Sequence, residues 1–170
     1  MITTLSAGDR IAIHELLARY AWSLDTGDVE GFVACFTSEA ELVWDVFDEP
    51  GRWLGSAALR RFAGYFRSRP ESAGRQHHVT NVVLASTTEG VQAKSYVLVA
   101  LRAEEAPHRL NVMGYYDDLL RQEAGQWRIA RRVIRDWNGP VLANIAGQDG
   151  IRHPRQRPAA LDGLWATQAT

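Results

Sequence analysis

The chain has 170 residues, of which 46% are hydrophobic and 9% aromatic, as expected for one globular domain with a substantial core. Its 19 Lys and Arg residues balance 20 Asp and Glu residues, so the net charge of -1 lacks the basic excess typical of nucleic-acid binding. We find no run of 18 apolar residues and no signal-peptide pattern, and therefore expect a cytoplasmic protein that does not enter a membrane. The single cysteine, Cys35, excludes an internal disulfide and a thiolate zinc cluster.

Two helices are predicted before the first strand. Ser6 and Asp9 have capping-box spacing, and the apolar residues that follow recur on one helical face: Ile13, Leu16, Leu17, Tyr20 and Leu24. Gly27 is the predicted C-cap, which places Asp25 at the end of this helix, five residues after Tyr20. A second, shorter helix follows.

Five strands and a third helix are predicted downstream. In the first strand, at 40–46, Leu42, Trp44 and Val46 share an apolar face that should point inward. The helix at 56–67 carries Phe62 and Phe66 at helical spacing. The four long strands that follow are antiparallel because their connections, which include turns at 87–90, 104–108 and 123–125, are short; they are expected at 75–84, 91–103, 109–121 and 126–137.

This order of elements predicts an α+β fold in which a strongly curved sheet wraps around the helices. Such a sheet can enclose a conical cavity, and an apolar cavity with a few converging polar groups is the usual site for a small-molecule substrate. We expect residues 1–145 to form the domain. Residues 146–170, punctuated by Gly, Pro, Arg and Gln, are expected to be a tail that packs on the domain or on a neighbouring subunit.

The strand at 75–84 contains adjacent histidines, His77 and His78, which must face opposite sides of the sheet. A neutral imidazole can remove a proton next to a carbonyl, and a buried carboxylate can fix its tautomer and stabilise the imidazolium. We expect one of the two histidines to be such a base, and Asp25 suits the role of the carboxylate, since a negative charge at a helix C-terminus needs a positive partner. The structural alternatives are a satisfied core or surface histidine and a solvated acid.

Four features together resemble the SnoaL-like group of the nuclear-transport-factor-two-like superfamily. They are Tyr20-x4-Asp25, Trp44, His77-x3-Asn81 and the segment Trp-Arg-Ile-Ala-Arg-Arg at 127–132, and the resemblance covers about residues 7–140. It is greatest to the branch of scytalone dehydratase, hexachlorocyclohexane dehydrochlorinase and bile-acid 7α-dehydratase. The resemblance implies a cone-shaped α+β barrel with a curved mixed sheet, no cofactor, and a homo-oligomer, with a trimer favoured over a dimer.

The resemblance also implies site residues. His77 matches the catalytic base, Asp25 its carboxylate partner, Tyr20 the tyrosine that meets substrate, and Arg132 the pocket arginine. Trp44 stands where the dehydratases often carry a tyrosine, which leaves the leaving group open.

Each remaining candidate has two interpretations. Arg132 either stabilises a substrate anion or forms an interface ion pair with Asp136; Tyr20 either donates to a leaving oxygen or packs at the core edge. Asn81, predicted on the His77 face, either orients substrate or satisfies backbone groups. Candidate substrate-binding walls are Trp44, Phe62, Phe66, Val83 and Met113, which are also ordinary core residues. His14, His108 and His153 lack the spacing of a metal site, so no metal is expected.

These residues predict a cofactor-independent lyase that carries out a dehydratase-like elimination on a small apolar cyclic or aromatic molecule. The same dyad also suits an isomerase or a polyketide-cyclase-type enzyme, since proton removal beside a carbonyl begins all three reactions. A non-catalytic ligand-binding module is the alternative of another class. Phosphate-binding loops, nucleophile elbows and zinc-protease motifs are absent from the sequence.

Overall fold

The computed structural model describes residues 4–102 and 107–168. Helix α1 (Ala7–Thr26) begins at Ser6, where the predicted capping box forms with Asp9, and ends at Gly27, which has the left-handed conformation (φ 72°) typical of a glycine C-cap. Helix α2 (Val29–Ala34) follows directly, with Asp28 as its N-cap. The two helices pack against each other.

Six strands form one sheet, in the order β2-β1-β6-β5-β4-β3. Neighbouring strands are antiparallel except β1 and β6, which are parallel, so the sheet is mixed. The strands are β1 (Phe36–Asp45), β2 (Gly51–Leu54), β3 (Arg75–Ser86), β4 (Val91–Leu101), β5 (Arg109–Glu123) and β6 (Gln126–Asp136). The prediction missed β2, which is four residues long. Ala103 and residues 104–106 of the predicted turn lie outside the described residues.

The core lies between the helices and the concave face of the curved sheet. Helix α1 packs against β3 and β6, and α2 against β1. Helix α3 (Gly55–Arg67) places Leu59, Phe62 and Phe66 against β1 and α2, and Trp53 on β2 closes this end of the core. Burying side chains of this size contributes about 1.5–3 kcal/mol each. The prediction of an α+β fold, a curved sheet wrapped around helices, is confirmed.

The C-terminal residues lie against the same chain. Short 3₁₀ turns lead to helix α4 (Asp162–Trp165), whose Leu164 is buried. The Trp53 indole donates a hydrogen bond to Thr167 Oγ1 at 2.8 Å, and the Tyr65 hydroxyl donates one to the Ala160 carbonyl at 2.9 Å. This segment therefore covers the end of the sheet where β1, β2 and α3 meet. Within the described residues, every helix is too short or too polar to span a bilayer.

Candidate active site

His77 and Asp25 are in direct contact. The Asp25 carboxylate meets His77 at two points: Oδ2 accepts a hydrogen bond from the His77 backbone N–H at 2.7 Å, and Oδ1 lies 2.5 Å from His77 Nδ1. Both side chains are mostly buried, with 9% of His77 and 15% of Asp25 exposed. A carboxylate at Nδ1 favours a proton on that nitrogen, which in a neutral imidazole leaves the lone pair on Nε2. The contact predicted between these two residues is present.

His77 is on the wall of an apolar cavity of about 240 Å³ between the sheet and the helices. The cavity size suits one or two fused rings. The apolar part of the wall includes three of the candidate residues, Trp44, Phe62 and Phe66, together with Leu24, Val46, Phe47, Val97, Val99, Val112, Ile134, Pro158 and Leu161. Pro158 and Leu161 come from the C-terminal segment, which therefore forms part of the site.

Two tyrosines line the same cavity. Tyr20, on α1, was predicted; Tyr116, on β5, was not. Their rings meet edge to face, with centroids 5.8 Å apart, and both are buried. Burial raises the pKa of Tyr20, although the Arg132 charge opposes the effect, and burial raises the pKa of Tyr116 well above its ordinary value. Both hydroxyls therefore keep their protons at neutral pH and can donate hydrogen bonds.

Arg132 lies behind these tyrosines, not on the cavity wall. Its guanidinium forms a two-pronged ion pair with Asp118, at 2.8 and 2.6 Å, and its central carbon lies 3.9 Å from the Tyr20 ring centroid and 4.0 Å from that of Tyr116. Burial works against its charge, but the Asp118 carboxylate outweighs burial and raises the pKa of Arg132. The prediction that Arg132 is the pocket arginine is wrong in this respect, and its ion-pair partner is Asp118, not Asp136.

Asn81 is on the outer face of the sheet, contrary to expectation. Its backbone has φ 54°, and the register of β3 against β4 shifts between Thr80 and Val83, which defines a β-bulge. The extra residue reverses the alternation, so Asn81 and Val83 line an outer groove together with Tyr115 and Trp137. Neither Asn81 nor Val83 lines the cavity that contains His77.

Met113 is a second wall residue that the prediction placed wrongly. It is 53% exposed and does not line the cavity, whereas its neighbour Val112 does. The register between β4 and β5 is continuous from Tyr116 to Val112, and Met113 lies three residues from the cavity residue Tyr116, so alternation turns its side chain outward.

Three further polar cavity residues, Arg75, Asn111 and Arg155, went unpredicted, and Arg155 is paired with Asp136 at 3.1 Å. Arg75 is on β3, two residues before His77 and therefore on the same face; Asn111 is on β5 at the exposed rim. Burial lowers the pKa of Arg75, and the negative charge of Asp25 opposes this effect. Arginine nevertheless stays charged at neutral pH. The Arg-x-His spacing in a predicted strand was the available signal for Arg75, since residues i and i+2 share a face.

The remaining histidines are apart from this cavity. His78 is exposed on the opposite side of β3, and His153 pairs with Asp149 at 3.0 Å. Across residues 4–102 and 107–168, no three His, Cys, Asp or Glu side chains are grouped so that they can hold a metal ion.

Comparison with solved structures defines the class of protein first. A protein of unknown function from Mycobacterium tuberculosis is similar over 96% of both chains, with 25% identity and a TM-score of 0.70. A nuclear-transport-factor-two-like protein with a cystatin-like fold from Novosphingobium aromaticivorans is 20% identical over 78% of this chain and 84% of that one, with a TM-score of 0.66. A proposed scytalone dehydratase from the same organism is 24% identical over 75% and 83%, with a TM-score of 0.63. The similarity to the first of the two Novosphingobium structures shows that the fold is nuclear-transport-factor-two-like.

The sequence model of the SnoaL-like domain matches residues 6–133, and the chain belongs to this family. Among curated proteins, no significant match is found. The superfamily includes dehydratases, isomerases and polyketide cyclases that act on small molecules. The matched range contains the residues of the dyad and both cavity tyrosines.

Proposed function

We propose that this protein is a cofactor-independent lyase that removes water, or a similar leaving group, from a small cyclic or aromatic carbonyl compound. The observation that carries the proposal is the 2.5 Å contact between His77 Nδ1 and Asp25 Oδ1 on the wall of an apolar cavity. A histidine oriented in this way can act as a general base.

Elimination from a β-hydroxyketone follows from this geometry. His77 Nε2 takes a proton from the carbon between the carbonyl and the hydroxyl-bearing carbon, and the C–H electron pair delocalises as an enolate. The enolate then forms the carbon–carbon double bond and expels the hydroxyl group, which leaves as water with a proton from the His77 imidazolium. Asp25 stabilises that imidazolium while it exists.

Tyr20 and Tyr116 supply neutral donors inside the cavity. A donor aimed at the carbonyl oxygen stabilises the enolate, and one aimed at the leaving hydroxyl assists its departure. Arg132 does not line the cavity; it lies against both tyrosine rings and acts by holding them in place. It is a positioning residue in this mechanism.

The cavity residues select the substrate by shape and polarity. Trp44, Phe62 and Phe66 offer aromatic faces to a flat ring. Trp44 stands where the dehydratases often carry a tyrosine, so no hydroxyl at this position can donate to the leaving group. Departure of the leaving group is therefore assisted by Tyr20, Tyr116 and the His77 imidazolium.

The test uses 3-hydroxy-1-tetralone, a ring-fused β-hydroxyketone whose dehydration product tautomerises to the fluorescent 1-naphthol. Wild-type protein should form 1-naphthol with loss of water by mass spectrometry. The rate of His77→Ala should be about 10²- to 10⁴-fold lower than that of wild type, which is the usual contribution of a general base. His78→Ala is the matched control, because His78 is the exposed neighbour on the opposite face.

Three results distinguish the alternatives. A product of unchanged mass supports an isomerase or cyclase that uses the same dyad. Binding without any product, from this compound and from related ring-fused ketones, supports a non-catalytic binding module. Equal rates for wild type and His77→Ala would remove His77 from the mechanism.

A further inference from the structure

Arg75 is a charged side chain in the cavity that the elimination mechanism leaves without a role. It lies on β3 two residues before His77, and both side chains line the same cavity. Residues two apart in a strand are separated by about 6.6 Å, comparable with the span of one substituted ring. A substrate that reaches His77 Nε2 therefore also reaches Arg75.

The guanidinium of Arg75 lacks the partners that satisfy other arginines of this protein. Its Nε is buried without a hydrogen-bond partner among the described residues, and its central carbon lies 4.8 Å from the Phe66 ring centroid. Arg132 and Arg152 also have one buried nitrogen without a partner, but each forms an ion pair, Arg132 with Asp118 and Arg152 with Asp45. Arg155, the other arginine on the cavity wall, is paired with Asp136 at 3.1 Å, whereas Arg75 has no ion pair among the described residues. Asp25 is near enough to influence Arg75 electrostatically, but both its oxygens are engaged by His77.

An apolar ligand that filled the cavity would displace water from this guanidinium and leave a charged donor without a partner. Such desolvation is costly, so the site discriminates against ligands that lack a matching acceptor. A carboxylate or phenolate oxygen would pair with the charge, and planar guanidinium donors match a carboxylate in shape.

We infer that Arg75 is a specificity-determining residue, and that the substrate class of this cavity is ring compounds bearing an anionic oxygen about one ring's length from the carbon that loses its proton. This inference rests on the proposed function, since it concerns the same cavity. Arg75 pairs with the anionic oxygen, the aromatic wall holds the ring, and His77 meets the acidic carbon. The Phe66 ring limits the motion of the guanidinium before substrate binds.

Binding measurements test the inference without requiring turnover. The probes are 2-naphthoate and 2-naphthamide, which have nearly the same shape and differ in charge. Calorimetry at neutral pH should show that wild-type protein binds naphthoate roughly ten- to a hundredfold more tightly, the usual gain from a charge-assisted hydrogen bond. Arg75→Gln should bind both probes about equally.

Arg102→Gln is the matched control. Arg102 is an exposed arginine whose backbone N–H donates to the Gly74 carbonyl beside Arg75, and it does not line the cavity. It should keep the preference for naphthoate. A preference for naphthoate that persists in Arg75→Gln would overturn the inference, because the charge of Arg75 would not be its source.

A second measurement uses the wild-type protein alone, so it stands even when the Arg75→Gln variant binds neither probe. The phenolate of 4-nitrophenol absorbs visible light, and a neighbouring arginine should lower the apparent pKa of the bound phenol in wild-type protein. An unchanged or higher apparent pKa, together with equal affinity for the two naphthyl probes, contradicts the inference. A lowered value without a naphthoate preference narrows the anionic oxygen to a phenolate.

The inference and the proposed function fail separately. His77→Ala should retain the preference for naphthoate even though it cannot catalyse elimination. If wild type binds naphthoate selectively but forms no product from any ring-fused ketone, the lyase proposal fails and the anion site stands. If His77-dependent elimination proceeds but wild type prefers neither naphthoate nor the phenolate, the lyase proposal stands and the inference about Arg75 fails.

Discussion

Two acid–base pairs lie beside the cavity, and they differ in access. His77 and Asp25 lie near its wall, with 9% and 15% of their side chains exposed; Arg132 and Asp118 lie behind the tyrosines with none. In the first pair one nitrogen is left for a substrate. In the second, the carboxylate oxygens and the tyrosine rings surround the guanidinium. The first pair is therefore suited to proton transfer and the second to holding the tyrosines in position.

The contrast also separates stability from catalysis. A sealed ion pair contributes little net stability when compared with apolar residues, but breaking it is costly because one charge is left buried. Replacing one partner of the His77–Asp25 pair should destabilise the fold less, because the cavity lets water hydrate the partner that is left. The two pairs should consequently respond to substitution in different assays.

The largest expected effect is on stability, from Arg132→Met. It leaves Asp118 buried without its partner, and we expect a loss of about 3–5 kcal/mol in the free energy of unfolding, measured by urea denaturation. The double variant Arg132→Met/Asp118→Leu should recover most of that loss. Arg60→Met, which breaks an exposed ion pair with Glu30, should shift the midpoint far less. If Arg132→Met were as stable as wild type, Asp118 would not be left buried without a partner, which contradicts the description of this ion pair.

Next comes Asp25→Asn, which should act on catalysis. If the amide oxygen of the new side chain accepts the His77 backbone N–H, its N–H group faces Nδ1 and forces the proton onto Nε2, so the base is lost. Turnover of 3-hydroxy-1-tetralone should fall about 10²-fold or more with little change in thermal midpoint. Asp28→Asn, which removes a nearby charge at an N-cap, should keep the wild-type rate. An Asp25→Asn variant with the wild-type rate would exclude a catalytic role for the contact between Asp25 and His77.

A smaller effect is expected from removing one cavity hydroxyl. Tyr20→Phe and Tyr116→Phe should each lower the rate about tenfold or more, because each removes one donor near the developing charge. Tyr115→Phe is the control, since the Tyr115 side chain lines the outer groove. Rates within about twofold of wild type for both cavity variants would remove the tyrosines from the mechanism.

The smallest effect concerns stability at high pH. Burial raises the pKa of Tyr20 and Tyr116 above the ordinary 10.0, so above that pH the unfolded chain loses tyrosine protons that the folded chain retains. Titration of these two groups should therefore leave the free energy of unfolding independent of pH below about pH 10. Above that pH, the free energy of unfolding should fall as pH rises. Urea denaturation at pH values below and above about 10 should show a smaller fall in the free energy of unfolding for the double variant Tyr20→Phe/Tyr116→Phe than for wild type. An identical slope would contradict the burial of these hydroxyls.

Sequence reasoning anticipated the contact between His77 and Asp25 because both residues are placed by local rules. Gly27 ends α1 and fixes where Asp25 falls, and strand alternation places His77 and His78 on opposite faces of β3. It failed at Asn81 because a bulge reverses the alternation between His77 and that residue. A bulge leaves little trace in a β-branched sequence.

The environment of Arg132 depends on pairing that a single sequence does not reveal. Asp118 lies directly opposite Arg132 across β5 and β6, so knowledge of the register would have predicted the ion pair. The same register places Tyr116 opposite Ile134, which lines the cavity. Local pattern thus identified the elements and the fold, whereas register and bulges decided which polar residues meet.

The central claim, that His77 removes a carbon-bound proton inside the cavity, is tested most directly by hydrogen exchange. Incubation of 1-tetralone in D₂O with wild-type protein should give deuterium at the carbon beside the carbonyl, measured by mass spectrometry, faster than buffer alone. His77→Ala should reduce exchange to the buffer rate, and His78→Ala should not. Exchange by wild type at the buffer rate, or undiminished exchange by His77→Ala, would contradict the claim.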